Sequence, residues 1–250
     1  MYDNDLTTLN LDVELADPLD QIGLPEADEA PQYDPEVMLP LLAAPEPQQR
    51  MLAARAFCEV EDQRAVPPLI TLLTDACPLV RVSAAYALGR NPHESAVDPL
   101  MSQLQTDWNG HVRKGVVWAL GNAHDARTLT PLIDALKTDI SAVRLWAASA
   151  LAQMAQVGYE QVIAAIPPLI EAMRQDTISA VRSNCAWAMG QLCRELPSNV
   201  VYHTAIDALI ETFAEDDDLG VREDARAAIL KVGDARGLQT IEDIEQDGFF

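Results

Sequence analysis

The chain has 250 residues, 49% of them hydrophobic, and a mean hydropathy of −0.01, so it carries enough apolar material for the core of one elongated domain. Its formal net charge of −22 at pH 7 repels phosphate backbones, which argues against nucleic-acid binding. No apolar run approaches the roughly 20 residues that cross a bilayer, and the acidic start lacks signal-peptide character, so we expect a cytoplasmic protein without membrane insertion.

Both ends of the chain are acidic. Residues 1–35 form a leader, and residues 1–49 together hold twelve acids and no base. Such a composition predicts a disordered, solubilising segment; docking on a basic or apolar surface is the alternative that the residues leave open. Residues 241–250 are predicted to be an acidic C-terminal tail, which closes with Phe249 and Phe250.

Residues 36–240 carry a repeated unit. The dipeptide Val-Arg recurs at spacings of 32, 31, 38 and 40 residues, and an Asp stands four or five positions before each copy. Periods of this length are typical of stacked solenoids. The five copies are Val80-Arg81, Val112-Arg113, Val143-Arg144, Val181-Arg182 and Val221-Arg222.

Each unit predicts two helices. The first helix is expected to start at a proline, and the second starts at Val-Arg and buries the residues four, seven and eight positions past the Val as one stripe. A glycine follows three of these stripes, where a left-handed residue ends a helix, so we expect the second helices to stop there. A degenerate first unit from about Val37 to Phe57 brings the number to six. The prolines are Pro67, Pro99, Pro131 and Pro168, and the glycines are Gly89, Gly121 and Gly190.

The pattern Val-Arg-x-x-Ala-Ala-x-Ala-Leu-Gly after an Asp turn resembles a HEAT repeat, and Trp118 to Gly121 resembles the Trp-Ala-Leu-Gly of the phycobilin-lyase-like class of these repeats. The resemblance covers roughly residues 37–237 and implies an all-α, right-handed superhelical α-solenoid of about six HEAT repeats. That class includes chromophore lyase subunits, phycobilisome-handling proteins and adaptors. With its acidic leader, the chain is also similar to cyanobacterial HEAT-repeat proteins that partner an A-type iron-sulfur carrier.

The repeated acids and arginines are interpreted as a structural ladder. An Asp at a helix start can cap free backbone N–H groups, and an Arg at the same height can bridge to the turn of the neighbouring repeat. A catalytic row is the alternative. The ladder residues are Asp75, Arg81, Asp107, Arg113, Asp139, Arg144, Asp176, Arg182, Asp216 and Arg222.

The cysteines and histidines do not predict a metal site or a catalytic centre within the chain. Cys77 and Cys185 fall in distant repeats, while Cys185 and Cys193 stand eight residues apart near one helix, too far to share one zinc ion. We expect Cys58 and Cys185 to be packing residues, and Cys77 and Cys193 to be accessible. An iron-sulfur cluster is therefore expected only if a thiol is shared with a partner.

The side of the second helices opposite the buried stripe predicts a concave groove with aromatic anchors. Positions three, six and ten past the Val face this surface, and aromatic side chains are enriched at interface hot spots. The alternative is that the rings fill gaps between repeats. We expect a protein partner in the groove and a hetero-oligomer, with a stacked bilin as the other candidate ligand. The groove residues are Tyr86, Arg90, Trp118, Asn122, Trp146, Gln153, Asn184, Trp187 and Gln191.

Overall fold

The computed structural model describes residues 33–246, and the second of the chain's two units begins at Pro35. Residues 1–32 of the predicted leader, together with Phe249 and Phe250, lie outside the described residues. Helices joined by turns make up residues 33–246, with no β-strand in that range. They are α1 Pro35–Leu41, α2 Pro47–Glu59, α3 Val66–Leu72, α4 Pro78–Arg90, α5 Glu94–Thr106, α6 Gly110–Asn122, α7 Leu129–Thr138, α8 Ser141–Ala152, α9 Tyr159–Gln175, α10 Ser179–Leu192, α11 Val200–Glu215, α12 Leu219–Val232 and α13 Ala235–Gln246.

The helices from α1 to α12 form six consecutive pairs, and the second unit of the chain is an all-α solenoid, as predicted. Each second helix, from α2 to α12, packs closely on the next second helix. The first helices meet one another at far fewer points. Because one layer is tightly packed and the other is splayed, the second helices form the inner, concave layer of the stack.

The predicted buried stripe of the second helices is confirmed. Ala84, Ala87 and Leu88 of α4 are at most 1% exposed, and the equivalent residues of the later second helices are also buried. Small residues at two of the three stripe positions let neighbouring helices approach, while the third position fills the interior with Leu, Met or Ile. The stripe therefore sets the close spacing of the inner layer.

The glycines that follow the stripe do not end their helices, so that prediction was wrong. α4 continues through Gly89 to Arg90, and α10 continues through Gly190 to Leu192. These glycines permit close helix approach instead. A Cβ atom at Gly121 or Gly190 would lie 2.9 Å from the Cβ atom of an alanine on the next second helix. A left-handed glycine does end one second helix, at Gly233 after α12, with a φ angle of 75°.

Two first helices begin well before the proline that was expected to open them. α5 starts five residues before Pro99, and α9 starts nine residues before Pro168. A proline inside a helix removes one backbone hydrogen bond. The residues before these prolines nevertheless bury apolar surface, as Val97 in α5 and Ile166 in α9 do at 1% exposure. This burial favours the longer helices.

The last helix crosses the boundary predicted at residue 240. α13 extends to Gln246 and packs on α11 and α12, with Ile241 only 4% exposed. Ile241 and the half-buried Ile244 stand three residues apart among polar residues, so one face of the helix is apolar. Residues 241–246 therefore belong to the packed unit.

Candidate functional site

The ladder residues link each repeat to the next at the starts of the second helices. Each guanidinium extends from a second helix to the Asp in the following turn, and both side chains are mostly shielded from solvent. The links are Arg50 Nε–Asp75 Oδ2 (2.7 Å), Arg81 Nε–Asp107 Oδ2 (2.7 Å), Arg113 Nη2–Asp139 Oδ1 (2.6 Å), Arg144 Nε–Asp176 Oδ2 (2.6 Å) and Arg182 Nε–Asp216 Oδ2 (2.8 Å).

Each ladder residue also stabilises its own turn. Arg81 Nη1 donates to the Asp75 carbonyl oxygen at 2.9 Å, and Asp107 Oδ1 accepts the Asn109 backbone N–H at 2.8 Å. The same two contacts recur in the later repeats. Arg222, in the last second helix, donates through Nε to the Phe213 carbonyl oxygen at 2.8 Å. The ladder carboxylates are thus occupied by structural contacts.

The electrostatics of the ladder favour charged carboxylates. Burial would raise the pKa of Asp107, but hydrogen bonds from Arg81, the Asn109 backbone and Gln103 outweigh burial and hold that pKa below its usual value. The pKa values of Asp75, Asp139, Asp176 and Asp216 are lowered by the same balance of burial against arginine and backbone hydrogen bonds.

The aromatic row consists of Tyr86, Trp118, Trp146 and Trp187, one ring on each of the second helices α4 to α10. Two of its tryptophans pack on the preceding repeat. The Trp118 ring lies 5.5 Å from the Tyr86 ring, centroid to centroid, and covers Gly89. Lys114 Nζ stands 5.3 Å from the centroid of the Trp146 ring. Trp187 is 41% exposed and is the most open ring of the row.

The polar residues between these rings divide into two groups. Asn122 and Asn184 bridge repeats, because Asn122 donates to the Gly89 carbonyl oxygen at 3.3 Å and Asn184 to the Leu145 carbonyl oxygen at 2.5 Å. The others contact side chains. Arg90 pairs with Glu61 at 3.5 Å, Gln153 Oε1 accepts from Gln156 at 3.1 Å, and Gln191 Oε1 accepts from Lys231 at 3.1 Å.

Family comparison agrees with this repeat geometry. The HEAT-repeat family matches the sequence over residues 35–114, 97–166 and 153–230. The chain belongs to the HEAT-repeat family. No curated protein matches this HEAT-repeat chain in sequence.

Solved structures share the fold of this HEAT-repeat protein. A designed armadillo repeat protein in complex with the peptide (KR)4 is similar with a TM-score of 0.61 and 22% identity, covering 80% of this chain and 100% of its own. The complex of CpcE and CpcF of phycocyanin lyase from Nostoc sp. PCC7120 gives a TM-score of 0.58 and 24% identity over 88% of this chain and 85% of that one. Yeast importin-β is similar with a TM-score of 0.60 and 16% identity, covering 86% of this chain and 33% of its own. These likenesses show that the chain shares the fold of armadillo and HEAT solenoids.

The thiols of this HEAT-repeat protein are mostly withdrawn from solvent. Cys193 was expected to be accessible past a helix end, but it is 1% exposed because a 3₁₀ turn, Cys193–Glu195, holds it inward. Burial raises the pKa of Cys58 and of Cys193 to about 12 and also raises the pKa of Cys185. Cys77 is half-buried. Over residues 33–246, no group of three or more His, Cys, Asp and Glu is placed to hold a metal ion.

Sequence reasoning missed one ladder residue and one surface. Arg50 stands fourth in α2, as Arg81 stands fourth in α4, but Gln49 replaces the valine that marks the other copies. The missed surface is a set of large apolar residues next to the ladder acids, of which Trp108 is 76% exposed. The sequence contained a sign of this surface, because a large apolar residue follows each ladder Asp within four positions.

Proposed function

We propose that this protein is a non-catalytic adaptor whose inner layer of second helices receives a segment of a partner protein. The observation that carries this proposal is the aromatic row, and in particular its open end at Trp187. Beside that ring, the Nε2 amide of Gln191 is buried and has no hydrogen-bond partner among the described residues. The exposed indole fits a partner segment that places an apolar side chain against it, while the buried amide is closed to a partner in this conformation.

The side chains between the rings support binding more than catalysis. They are four amides and one arginine, which form hydrogen bonds or ion pairs and do not transfer protons near neutral pH. The ladder carboxylates have lowered pKa values and are held by arginines and backbone N–H groups. An adaptor that presents its partner to another protein fits this chemistry, and a hetero-oligomer is the expected assembly.

Two kinds of partner follow from the resemblance of the repeats, an A-type iron-sulfur carrier and a phycobiliprotein. For the first, an intact cluster would have to be ligated by the carrier, with Cys77 as the more open thiol that this chain could share. For the second, the adaptor would hold the folded phycobiliprotein. Both partners are proteins, so the aromatic row serves the same purpose in either case.

A bilin-handling subunit that acts on phycobiliproteins is the second candidate function. It is favoured by the fold shared with the CpcE and CpcF complex over 88% of this chain. An extended tetrapyrrole could stack on the exposed face of Trp187. Visible absorbance of the purified protein after co-expression with a bilin pathway separates the candidates, because an adaptor stays colourless and a bilin-handling subunit carries the pigment.

The adaptor is tested by comparing an exposed ring of the aromatic row, Trp187, with a packed one, Trp118. Trp187→Ser is expected to weaken partner capture by about 1 to 4 kcal/mol of binding free energy, with little change in melting temperature, because the ring is 41% exposed. Trp118→Ser is expected to lower the melting temperature, because its ring covers Gly89 and packs on Tyr86.

The matched control is Trp108→Ser, which removes an exposed tryptophan from outside the inner layer. Proteins captured from the native host by wild type, Trp187→Ser and Trp108→Ser are compared by mass spectrometry, and folding is followed by circular dichroism. We expect one partner that wild type and Trp108→Ser retain and Trp187→Ser loses. Equal capture by all three proteins contradicts binding at the aromatic row.

A further inference from the structure

Five exposed apolar side chains line one edge of the solenoid, one at or just before the start of each second helix in repeats two to six. We call this set the turn edge. Its members are Leu79 (55% exposed), Trp108 (76%), Ile140 (51%), Ile178 (42%) and Leu219 (66%). Single exposed apolar residues are ordinary, but a contiguous apolar stripe on a protein surface marks an interaction site.

Two members of the turn edge, Trp108 and Ile140, contact residues of the preceding repeat. The Trp108 ring lies under the Arg81 guanidinium, 5.9 Å from ring centroid to Cζ. Arg81 is itself fixed by Asp107. The side chain of Ile140 lies against Gly110 in the preceding turn. These contacts restrict the two side chains before a partner binds, which lowers the entropy cost of fixing them.

Two clefts of similar size open beside the turn edge, one repeat apart. The first, about 400 Å³, lies between α5 and α7 and is lined by Leu104, Pro131 and Ile140. The second, about 390 Å³, lies between α7 and α9 and is lined by Leu136, Pro168 and Ala172. Ladder residues also line both clefts. Polar residues share both linings, among them Gln105 and Thr138 in the first cleft and Gln175 and Thr177 in the second, so each cleft has room for a partner side chain that is apolar over part of its surface.

The charges around the turn edge are predominantly acidic. From the last five residues of each first helix to the first four residues of the following second helix, six exposed acids stand against two exposed bases. The acids are Glu46, Asp134, Glu171, Glu211, Glu215 and Asp217, and the bases are Lys137 and Arg174. Both bases are paired, Lys137 with Glu171 and Arg174 with Glu211. This surface attracts a basic partner and repels anionic lipid or nucleic acid.

The spacing of the turn edge favours a helix as its partner. Neighbouring packed helices lie about 8–10 Å apart, so successive members of the turn edge are separated by about that distance. Seven residues of an α-helix rise about 10.5 Å and return to nearly the same face. Three residues of a strand also rise about 10 Å, but side chains three residues apart point to opposite faces of the strand. A strand therefore cannot contact successive members of the turn edge with one face.

We infer that the turn edge is a second docking surface, which binds a basic amphipathic helix of a partner protein along the stack. Leucine-like side chains at heptad spacing enter the two clefts and cover Trp108 and Ile140. Lysines or arginines flanking them pair with the acids that surround the turn edge. This surface is separate from the aromatic row, so the adaptor can hold two partner segments at once.

The test uses full-length protein and a fluorescein-labelled synthetic peptide of leucine and lysine, roughly 20 residues long, with leucine on one helical face. A scrambled peptide of the same composition has no apolar face. Binding of both is followed by fluorescence anisotropy. We expect wild type to bind the amphipathic peptide at least about tenfold more tightly than the scrambled one, and Trp108→Ser/Ile140→Ser to erase that preference. The control Trp187→Ser, at the aromatic row, keeps it.

Several outcomes overturn the inference. Equal affinity for both peptides on wild type would show attraction by charge alone, and an unchanged preference in the double variant would place the peptide elsewhere. Sedimentation of wild type as a dimer that the double variant converts to monomer would assign the turn edge to a second copy. Binding to phosphatidylglycerol vesicles that the double variant loses would assign it to lipid. Both substituted residues are exposed, so circular dichroism and melting of the double variant should match wild type.

Discussion

Each ladder arginine from Arg50 to Arg182 joins two turns at once. Arg113 donates to the Asp139 carboxylate in the next repeat and to the Asp107 carbonyl oxygen in its own turn. The Arg113 side chain is 17% exposed and that of Asp139 is 11% exposed, so water replaces these hydrogen bonds poorly if one partner is removed. The ladder therefore couples neighbouring repeats through polar contacts in addition to the apolar stripe.

Arg113→Ala is expected to lower the free energy of unfolding by about 1 to 3 kcal/mol, because it leaves a partly buried carboxylate and a carbonyl unsatisfied. The matched control is Arg127→Ala, which removes an arginine paired with Asp98 and Asp125 near the surface. Exposed pairs contribute little, so the control should lose less. Urea unfolding followed by circular dichroism measures both. Equal losses would show that the ladder is not a special source of stability.

The lowered pKa values of the ladder acids predict sensitivity to acid. A carboxyl whose pKa is lower in the folded than in the unfolded state contributes stability that is present above its unfolded pKa, about 3.9, and is lost as pH falls through its folded pKa. The melting temperature should therefore fall below about pH 4. Asp139→Asn should start from a lower melting temperature at pH 7 and fall less steeply, because one of the linked carboxyls is gone. Parallel curves for variant and wild type would contradict this linkage.

At the scale of the helix, the inner layer depends on residues without large side chains. Gly190 faces Ala228 on α12, where an added Cβ would lie 2.9 Å from the alanine Cβ and 3.1 Å from its Cα. The backbone of one of these helices must move to relieve such a contact. Gly121 faces Ala150 in the same way, at 2.9 Å.

Gly190→Ala is therefore expected to lower the free energy of unfolding by about 1 to 3 kcal/mol through overpacking. Gly220→Ala is the control, since the Asp218 carboxylate is the group that its Cβ would approach, at 3.1 Å, in the first turn of α12. Because alanine favours a helix over glycine, the control should be neutral or stabilised by up to about 1 kcal/mol. Thermal melts compare the two. A destabilised Gly220→Ala beside an unaffected Gly190→Ala would refute close packing as the role of Gly190.

Most of the fold could be predicted from the sequence because repetition multiplies a weak local signal. The Val-Arg dipeptide, the Asp before it and the apolar stripe each recur at the helix–turn–helix period, so the paired helices and the buried face followed directly. The glycines were misread because a helix-ending glycine and a close-packing glycine occupy the same position in the local sequence. The difference lies in the neighbouring repeat, whose distance the sequence does not contain.

The same limit applies to the candidate site. Helical periodicity predicts a side of the second helix for each ring, but it contains no information on how deeply the ring is buried. Trp118 and Trp187 occupy equivalent positions, yet Trp118 covers Gly89 while Trp187 stays open. Which ring packs depends on the residue that the preceding repeat places beneath it.

For the whole molecule, the balance of charge adds a long-range contribution to the packing of neighbouring repeats. A solenoid gains stability mainly from each repeat and its contact with the next one. The net charge of −22 opposes this, and it is concentrated towards the ends: residues 211–247 hold twelve acids and four bases, and residues 1–49 hold twelve acids and no base. The ladder pairs, in contrast, are mostly shielded from solvent.

Added salt should therefore stabilise this protein. The Debye length falls from about 30 Å at 0.01 M to about 8 Å at 0.15 M ionic strength, which screens repulsion between acids on different repeats more than it weakens the shielded ladder pairs. We expect the melting temperature to rise between these two concentrations of sodium chloride. Glu215→Gln/Asp217→Asn should reduce the rise, because it removes two exposed acids from the acidic end of the stack. A melting temperature that falls with salt would show instead that ion pairs, at the surface and in the ladder, outweigh the repulsion of the net charge.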